Sequence, residues 1–414
     1  MKVFDNLVCY KISPGFLIIN LIYIMIFFIY LIMFIFDPIH GEIPICESAK
    51  KIIDTSEYQR LRKIKQGGGV YWCWVGSSHH RFEHSIGVYH LCRKLMDILR
   101  NKHKDCINDK EYELISIGAL IHDLGHCISS HLFDDWIKEM GVESVHEDRS
   151  ISIFKFMNEK YNLGYNIYDI SFISNVINPD FEDMDFIGLK KYLYQIVSSE
   201  NGVDVDRMDY ILRDASNSGM KFSFELDTIL NNTFIQDNEI VFSDKAKCSI
   251  DSFFHTRYSL YKQVCNNSTV IAIEHHMKEI LTIADPVFRI SYSVLYGDWD
   301  KFCKFTDDIF SIIEFMDDPR LDKAKEIMNN IKTRNILKLV GGFISDKELN
   351  IVSQNENVIV IKTKIKYDAY ELPKYVSNYR MKINHNDEKR PEEYILKVMC
   401  KDKNDPYGLS LLKI

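Results

Sequence analysis

The sequence predicts a mainly α-helical protein with a helical core, a short hairpin and a small C-terminal α+β lobe. Three observations carry that expectation. Apolar residues recur at helical spacing over long stretches, among them Arg81 to Arg100, Glu111 to His122 and Thr269 to Ile283. Leu114, Ile115, Ile117, Ala119, Leu120 and Ile121 are apolar nearly all round, the pattern of a helix buried on every side. Past Gly341-Gly342 the pattern changes to the alternation of strands, in Asn357–Ile361 and Glu393–Val398.

In chain order, the first feature is Phe16 to Phe36, a run without a charge, interrupted only by Asn20, Tyr23 and Tyr30. As a helix it would be about 31 Å long, the thickness of a bilayer core. It reads either as a membrane span or as a hydrophobic N-terminal extension, and no small-residue cleavage site follows it. Lys2 and Lys11 before it and Lys50 and Lys51 well after it leave its orientation open. Asp37-Pro38-Ile39-His40-Gly41 is a turn signal. Asp54 to Lys65 reads as a helix, Gly67-Gly68-Gly69 breaks it, and Val70 to Val75 has strand composition. Further helices are expected at Ile151–Tyr161, Leu189–Ser199, Ile250–Val264, Lys301–Phe315 and Asp322–Leu337. Phe234–Phe242 reads as a hairpin around Asp237-Asn238. The units expected are 1–36, 37–340 and 341–414.

At 414 residues the chain exceeds a single compact core. Its 46% hydrophobic and 27% charged content excludes a disordered, collagen-like or mostly membrane-embedded protein. A net charge of −8 argues against nucleic-acid binding through bulk charge, so an anionic ligand requires a local cluster of cations. The ten cysteines include no C-x-x-C pair, which fits reduced thiols rather than a disulfide framework or zinc ribbon.

The chemistry lies in histidines and aspartates on buried helices. His122-Asp123-Leu124-Gly125-His126 follows the most apolar helix directly. Arg81-Phe82-Glu83-His84-Ser85 precedes it, and His146-Glu147 and Asp204-Val205-Asp206-Arg207-Met208-Asp209-Tyr210 follow. Buried imidazole and carboxylate must be paired or metal-bound. A set of two histidines and two aspartates suits one divalent ion such as Fe, Mn, Zn or Mg.

On these residues the chain resembles the HD-domain phosphohydrolases, and within them the deoxynucleoside triphosphate triphosphohydrolases that carry a sterile alpha motif. The match also takes in Asp37–Gly41, Ile52–Lys65, Gly76–Gly87, His255-Thr256-Arg257 and Phe305–Val340. No sterile alpha motif precedes the match, and it weakens from Pro391, so the C-terminal lobe is expected to be truncated. The resemblance implies an HD-domain helical core and a dNTP substrate cleaved to nucleoside and inorganic triphosphate. It implies His84, His122, Asp123 and Asp206 as ligands of one transition metal (Fe, Mn or Zn), with Mg accompanying the triphosphate. It also implies His126, Asp134, His146 and Glu147 around the attacking water and leaving group, with His131 as the acid. Arg81, Arg207, Tyr210 and Arg257 would hold the triphosphate, and Gln66 and Asp214 the sugar 3′-hydroxyl. The family has a lysine where Arg207 stands.

Other positions depart further. The family's sugar- and base-pocket residues fall on Gly67, Tyr261, Cys265, Asn266 and Asn267. A guanine-nucleotide activator site is implied at Asp54, Gln59 and Arg62, for GTP or dGTP. Its second half is depleted, with Met33, Phe36, Thr228 and Ser243 in place of polar or basic residues and Lys245 retained. The resemblance further implies a homo-oligomer, dimer or tetramer, with a cytoplasmic or nuclear catalytic domain, and a strand-like segment just before Asp37. Met33–Phe36 cannot serve in that strand and in a bilayer at once. Two alternatives stay open: an HD phosphohydrolase acting on another nucleotide phosphoester, and a catalytically silent nucleotide- or nucleic-acid-binding homologue. Arg213 beside Asp214 reads as a structural ion pair, and His79, His80, His90, His103, His275 and His276 as surface or core residues.

Overall fold

The computed structural model describes residues 33–181 and 189–345, and beyond them mainly 358–365, 374–376, 383–384 and 393–403. Phe16–Ile32 lies outside the described residues. The end of the hydrophobic run, Met33–Phe36, does not. Met33–Asp37 forms strand β1, antiparallel to β2, Gly41–Ile45. The turn between them is made locally, because Asp37 Oδ1 accepts from the backbone N–H of Ile39 and of His40, both at 2.9 Å. No helix among the described residues is long and apolar enough to cross a membrane.

The body is helical. After α1, Glu47–Ile53, the expected helix over Asp54–Lys65 proves to be one turn, α2 (Ser56–Gln59), running into a 3₁₀ turn at Arg60–Lys63. Thr55 caps α2. Val70–Val75 is no strand: Gly68–Trp72 is a 3₁₀ turn packed on a later helix, and composition had no partner strand to satisfy. Two long helices follow, α3 (Arg81–Lys102) and α4 (Asp109–Ile121), the second opened by a reciprocal Asn108–Glu111 cap. Next come α5 (His131–Glu139), α6 (His146–Tyr161), α7 (Ile167–Ile177), α8 (Lys191–Tyr194), α9 (Val205–Ser218) and α10 (Leu226–Asn231). The helix expected over Leu189–Ser199 is thus the single turn α8.

The hairpin is as expected. Strands β3 (Thr233–Gln236) and β4 (Glu239–Ser243) meet at Asp237 and Asn238, φ 51° and 64°, two left-handed residues that match the twist of the strands. Helix α11 (Lys247–Leu260) passes into a π-helical turn at Tyr261–Cys265 before α12 (Ser268–Phe288). The remaining helices are α13 (Ile290–Leu295), α14 (Trp299–Phe302), α15 (Ile309–Phe315) and α16 (Asp322–Lys332). A helix through Lys301–Phe315 is broken at Asp307, whose carboxylate is drawn to the backbone N–H groups of Lys65 and Ser129.

The first strand of the C-terminal lobe begins at Lys338. Its described core is an antiparallel sheet in the order β5–β9–β6, formed by Lys338–Ser345, Glu393–Cys400 and Val358–Ile365. Between them, β7 (Tyr375–Val376) pairs with β4 and with β8 (Ile383–Asn384), so the lobe extends the hairpin's sheet.

Helices α3 and α4 form the wall between two apolar cores. Phe82, Ile86, Leu114, Ile117, Leu120 and Ile121 face one; Val88, Leu91, Leu95, Ile115 and Ala119 face the other. This explains why the α4 sequence is apolar all round. His84, His122 and Asp123, on these two helices and the turn that follows, are buried.

Candidate metal centre and active site

His84 projects from the first turns of α3, His122 and Asp123 from the end of α4, and Asp206 from the first turn of α9. Their donor atoms converge. His84 Nε2 lies 3.1 Å from Asp206 Oδ1, 3.4 Å from Asp123 Oδ2 and 3.3 Å from His122 Nε2. His122 Nε2 lies 3.4 Å from Asp123 Oδ1 and 3.5 Å from Asp206 Oδ1. Two donors on one ion, each at about 2.1 Å, stand roughly 3.0–3.4 Å apart at octahedral or tetrahedral angles.

The tautomers strengthen this fit. His84 Nδ1 is 2.7 Å from Asp209 Oδ2, and His122 Nδ1 is 2.8 Å from the Ala119 carbonyl, so both Nδ1 atoms donate. Both Nε2 atoms then present lone pairs to each other and to two carboxylates. Four acceptors with no donor among them call for a cation.

Asp209 is the main group that sequence reading missed. Besides His84, it accepts from His40 Nε2 at 2.6 Å and from Arg213 Nε and Nη2, both at 2.9 Å. Arg213 continues to Asp37 Oδ2 at 2.7 Å, so its ion pair is with Asp209 and Asp37 rather than with Asp214. Gly87 permits this approach, since a Cβ there would lie 1.9 Å from Asp209 Oδ1. The signal available in the sequence was spacing: Asp206 and Asp209 are three apart on one helix and share a face. Asp209→Asn is expected to lower metal affinity about 10–100-fold, the usual cost of losing an orienting partner. Competition with a chromogenic chelator measures it, and unchanged affinity would contradict the role.

A second group adjoins the first. His126 Nε2 is 3.4 Å from Asp123 Oδ1, and its ring stacks on that of His146 at 3.9 Å and 18°. Asp134 Oδ2 faces His126, His131 and His146, and His146 Nδ1 is also 3.3 Å from Glu147 Oε2. Arg149 fixes this corner by pairing with Asp134 and donating to the Gly125 carbonyl at 2.9 Å. Gly125 lets α6 close on the His-Asp turn, because a Cβ there would lie 2.0 Å from the His146 carbonyl. Burial, followed by the charges of Arg81 and His146, holds His126 well below the ordinary imidazole range.

The basic residues divide. Arg81 is buried and engaged within the protein, with Nη1 2.6 Å from Asp123 Oδ2 and Nε 2.9 Å from Ser130 Oγ. Arg207 pairs with Asp204. Arg257 Nε donates to the Tyr210 hydroxyl at 3.1 Å and its guanidinium lies 4.9 Å from the Tyr261 ring. Arg207, Arg257, Tyr210 and Tyr261 thus form one patch beside Asp206. Gln66 is buried, and its Oε1 has no partner among the described residues. Asp214 accepts from His79, read above as a surface or core histidine, at 2.7 Å. Elsewhere on the surface, Gln59 accepts from Arg62 Nε at 2.8 Å while Asp54 pairs with Lys50. The nine described cysteines are all free thiols.

Glu274 on α12 accepts from the Gly69 N–H at 3.1 Å, and burial pushes its carboxyl up to about 7. The folded state therefore holds a proton that the unfolded chain has already released. That contribution to stability is complete below the ordinary glutamate range and is lost as pH rises toward 7. Glu274→Gln keeps the acceptor for Gly69 and is expected to flatten the pH dependence of stability across that window. Urea midpoints at about pH 5 and about pH 7.5 in both proteins check it; identical slopes would refute the assignment.

The fold and this site define a helical protein built around a His/Asp metal centre. A family model described as HD domain matches residues 81–214, from Arg81 on α3 to Asp214 on α9. An HD domain-containing protein of Acanthamoeba polyphaga mimivirus is 34% identical over 335 residues, covering 73% of this chain and 72% of that protein. A deoxynucleoside triphosphate triphosphohydrolase SAMHD1 homolog of Dictyostelium discoideum is 33% identical over 313 residues, 74% of this chain and 60% of the relative. The Homo sapiens SAMHD1 triphosphohydrolase is 32% identical over 409 residues, 90% of this chain and 62% of the relative. The chain belongs to the HD-domain family, and it spans about three-fifths of the length of these two triphosphohydrolases.

Proposed function

We propose that this chain is a metal-dependent hydrolase that converts deoxynucleoside triphosphates to deoxynucleoside and inorganic triphosphate. The observation that carries this reading is the convergence of four acceptors, from His84, His122, Asp123 and Asp206, beside the Arg207–Arg257–Tyr210 patch. The activity for which the Dictyostelium and human relatives are named supports the substrate class. A divalent ion of the Fe, Mn, Zn or Mg class on these four residues would polarise the α-phosphate and acidify a bound water.

The remaining chemistry belongs to the chain's own side chains. Arg207 and Arg257 bind the negative charge of the β- and γ-phosphates, where guanidinium forks match phosphate oxygens. Cleavage of the bond between the α-phosphorus and the 5′ oxygen leaves an alkoxide that needs a proton. His131, at the open side of its cluster and oriented by Asp134, supplies it. His146 and Glu147 accept the proton released by the attacking water. Gln66 and Asp214 hydrogen-bond the 3′-hydroxyl, Gln66 through its unpartnered Oε1. Asp54, Gln59 and Arg62 form the guanine-nucleotide activator site, and the working form is a homo-oligomer.

Purified protein incubated with Mn²⁺ or Mg²⁺ and each dNTP tests the reading through its products. Inorganic triphosphate is expected; pyrophosphate or monophosphate would assign another phosphohydrolase, and nucleotide binding without turnover the silent reading.

A further inference from the structure

We propose that Asp307 is a positioning residue for the proton transfer to the leaving group, a single carboxylate that holds the acid His131 in register with the sugar contact Gln66. The proposal deepens the hydrolase reading above and rests on it. Asp307 lies between α14 and α15 and acts through two backbone N–H groups. Its Oδ2 accepts from Lys65 at 3.0 Å, one residue before Gln66, and its Oδ1 accepts from Ser129 at 2.6 Å, two residues before His131. Its own N–H donates to the Lys63 carbonyl at 3.1 Å. One side chain thus ties together two segments that stand 242 and 178 positions from it in sequence.

An independent observation is that the turn before His131 has to be held. Ser129 and Ser130 are buried, consecutive residues with φ 57° and 60°, a backbone that non-glycine residues rarely adopt. Such a conformation persists only where its surroundings over-determine it. Ser130 also stands at the N-cap of α5, where a serine ordinarily accepts from the helix's free N–H groups, yet its side chain makes no capping bond. Its Oγ instead donates to the Lys65 carbonyl at 2.7 Å and accepts from Arg81 Nε at 2.9 Å. Gly68 packs on the Ser129 carbonyl, which a Cβ there would meet at 2.8 Å. The serine forgoes the cap and joins the same two segments that Asp307 joins.

These two ties fix the acid against the sugar. Gln66 places the nucleoside and with it the 5′ oxygen; His131 opens the helix whose start Asp307 and Ser130 hold. As the attacking water's oxygen bonds to the α-phosphorus, the bond from phosphorus to the 5′ oxygen breaks. The electron pair stays on that oxygen, which takes up the His131 proton. Misplacing a reacting group by about 1 Å costs about a hundredfold in rate.

The experiment uses the full chain with Mn²⁺ and GTP present. It compares the dNTP turned over fastest with its analogue carrying sulfur in place of the 5′ bridging oxygen. A thiolate leaves without a proton, so the analogue does not draw on the acid. Asp307→Asn should lower kcat at least about tenfold on the dNTP and less than about twofold on the analogue. The preference in kcat/KM for the dNTP over its 2′,3′-dideoxy form should shrink as well, because the Gln66 contact to the 3′-hydroxyl loosens. Ser130→Ala removes the second tie, leaves Asp307 in place and should show the same split; it decides the matter if circular dichroism finds the Asp307 variant unfolded. Equal losses on dNTP and analogue, or no loss on either, overturn the assignment and leave the hydrolase reading standing. No cleavage of either substrate by the parent overturns the hydrolase reading and the assignment with it.

Discussion

Replacing His122 with Ala and Asp123 with Asn is expected to eliminate both the bound metal and hydrolysis while leaving the fold intact. The double variant loses two of four donors, and those two come from adjacent residues at the end of one helix, so no neighbour can take their place. The loss of metal affinity should exceed the roughly 10–100-fold that follows from disturbing an orienting partner such as Asp209. Asn at 123 keeps an acceptor for Arg81 Nη1, whose guanidinium would otherwise be buried without its carboxylate partner. Asp209, His84 and Arg213 are untouched, so the ion-paired wall between the two cores persists. Elemental analysis of the purified variant together with its thermal midpoint checks the expectation. Undiminished metal in a folded variant would remove His122 and Asp123 from the ligand set and with them the proposed chemistry.

The second large effect concerns the sugar. In the resembled family a leucine and a tyrosine close the pocket around the 2′ carbon, and the matching positions here are Gly67 and Cys265. Cys265 sits on the π-helical turn, within electrostatic reach of Asp214, one of the two residues assigned to the 3′-hydroxyl. A steric gate rejects ribose by overlap, and smaller residues remove that overlap. We therefore expect the chain to discriminate between dNTP and rNTP less sharply than its relatives and to show measurable rNTP hydrolysis.

The structure says how to restore the gate. Gly67 has φ −90°, open to any residue, and an added Cβ would lie 3.2 Å from Val70 Cβ, a contact a small shift of Val70 relieves. Gly68 could not be used, because its φ is +53° and a Cβ would meet the Ser129 carbonyl at 2.8 Å. Gly67→Leu with Cys265→Tyr should raise the dGTP/GTP ratio of kcat/KM by about 10–200-fold, corresponding to roughly 1–3 kcal/mol of pocket contact. The comparison is made at saturating GTP, so that any activation through Asp54, Gln59 and Arg62 is constant. Strict rejection of every rNTP by the unmodified protein would show that another group, with Tyr261 the nearest candidate, closes the pocket.

Local pattern was enough where the physics is local. The His122-Asp123 pair and His126 fall at fixed spacing where a buried helix ends, and Asp237-Asn238 can only turn a hairpin of that twist. Helical periodicity located α3, α4 and α12 because each buries a stripe or a whole cylinder. It failed over Val70–Val75, where aromatic and branched residues suggested a strand but the three preceding glycines and the packing on α12 produced a 3₁₀ turn. It failed again at Lys301–Phe315, where Asp307 gives up a helix to satisfy two backbone N–H groups far away in sequence.

The amino-acid sequence by itself determined the helical class, the hairpin, and the His, His-Asp, Asp set, because periodicity, turn chemistry and metal-ligand residue types are properties of short segments. Tertiary structure alone decided which donors meet and what holds them. Asp209 reaches His84 across 125 positions and His40 across 169, through a gap that Gly87 leaves open. Arg213 pairs with Asp37 rather than with its neighbour Asp214, and Met33–Phe36 closes a hairpin instead of ending a hydrophobic span. The reason is the same in each case. A buried charge must find its partner wherever packing places one, and that partner is fixed by which helices touch, not by which residues adjoin.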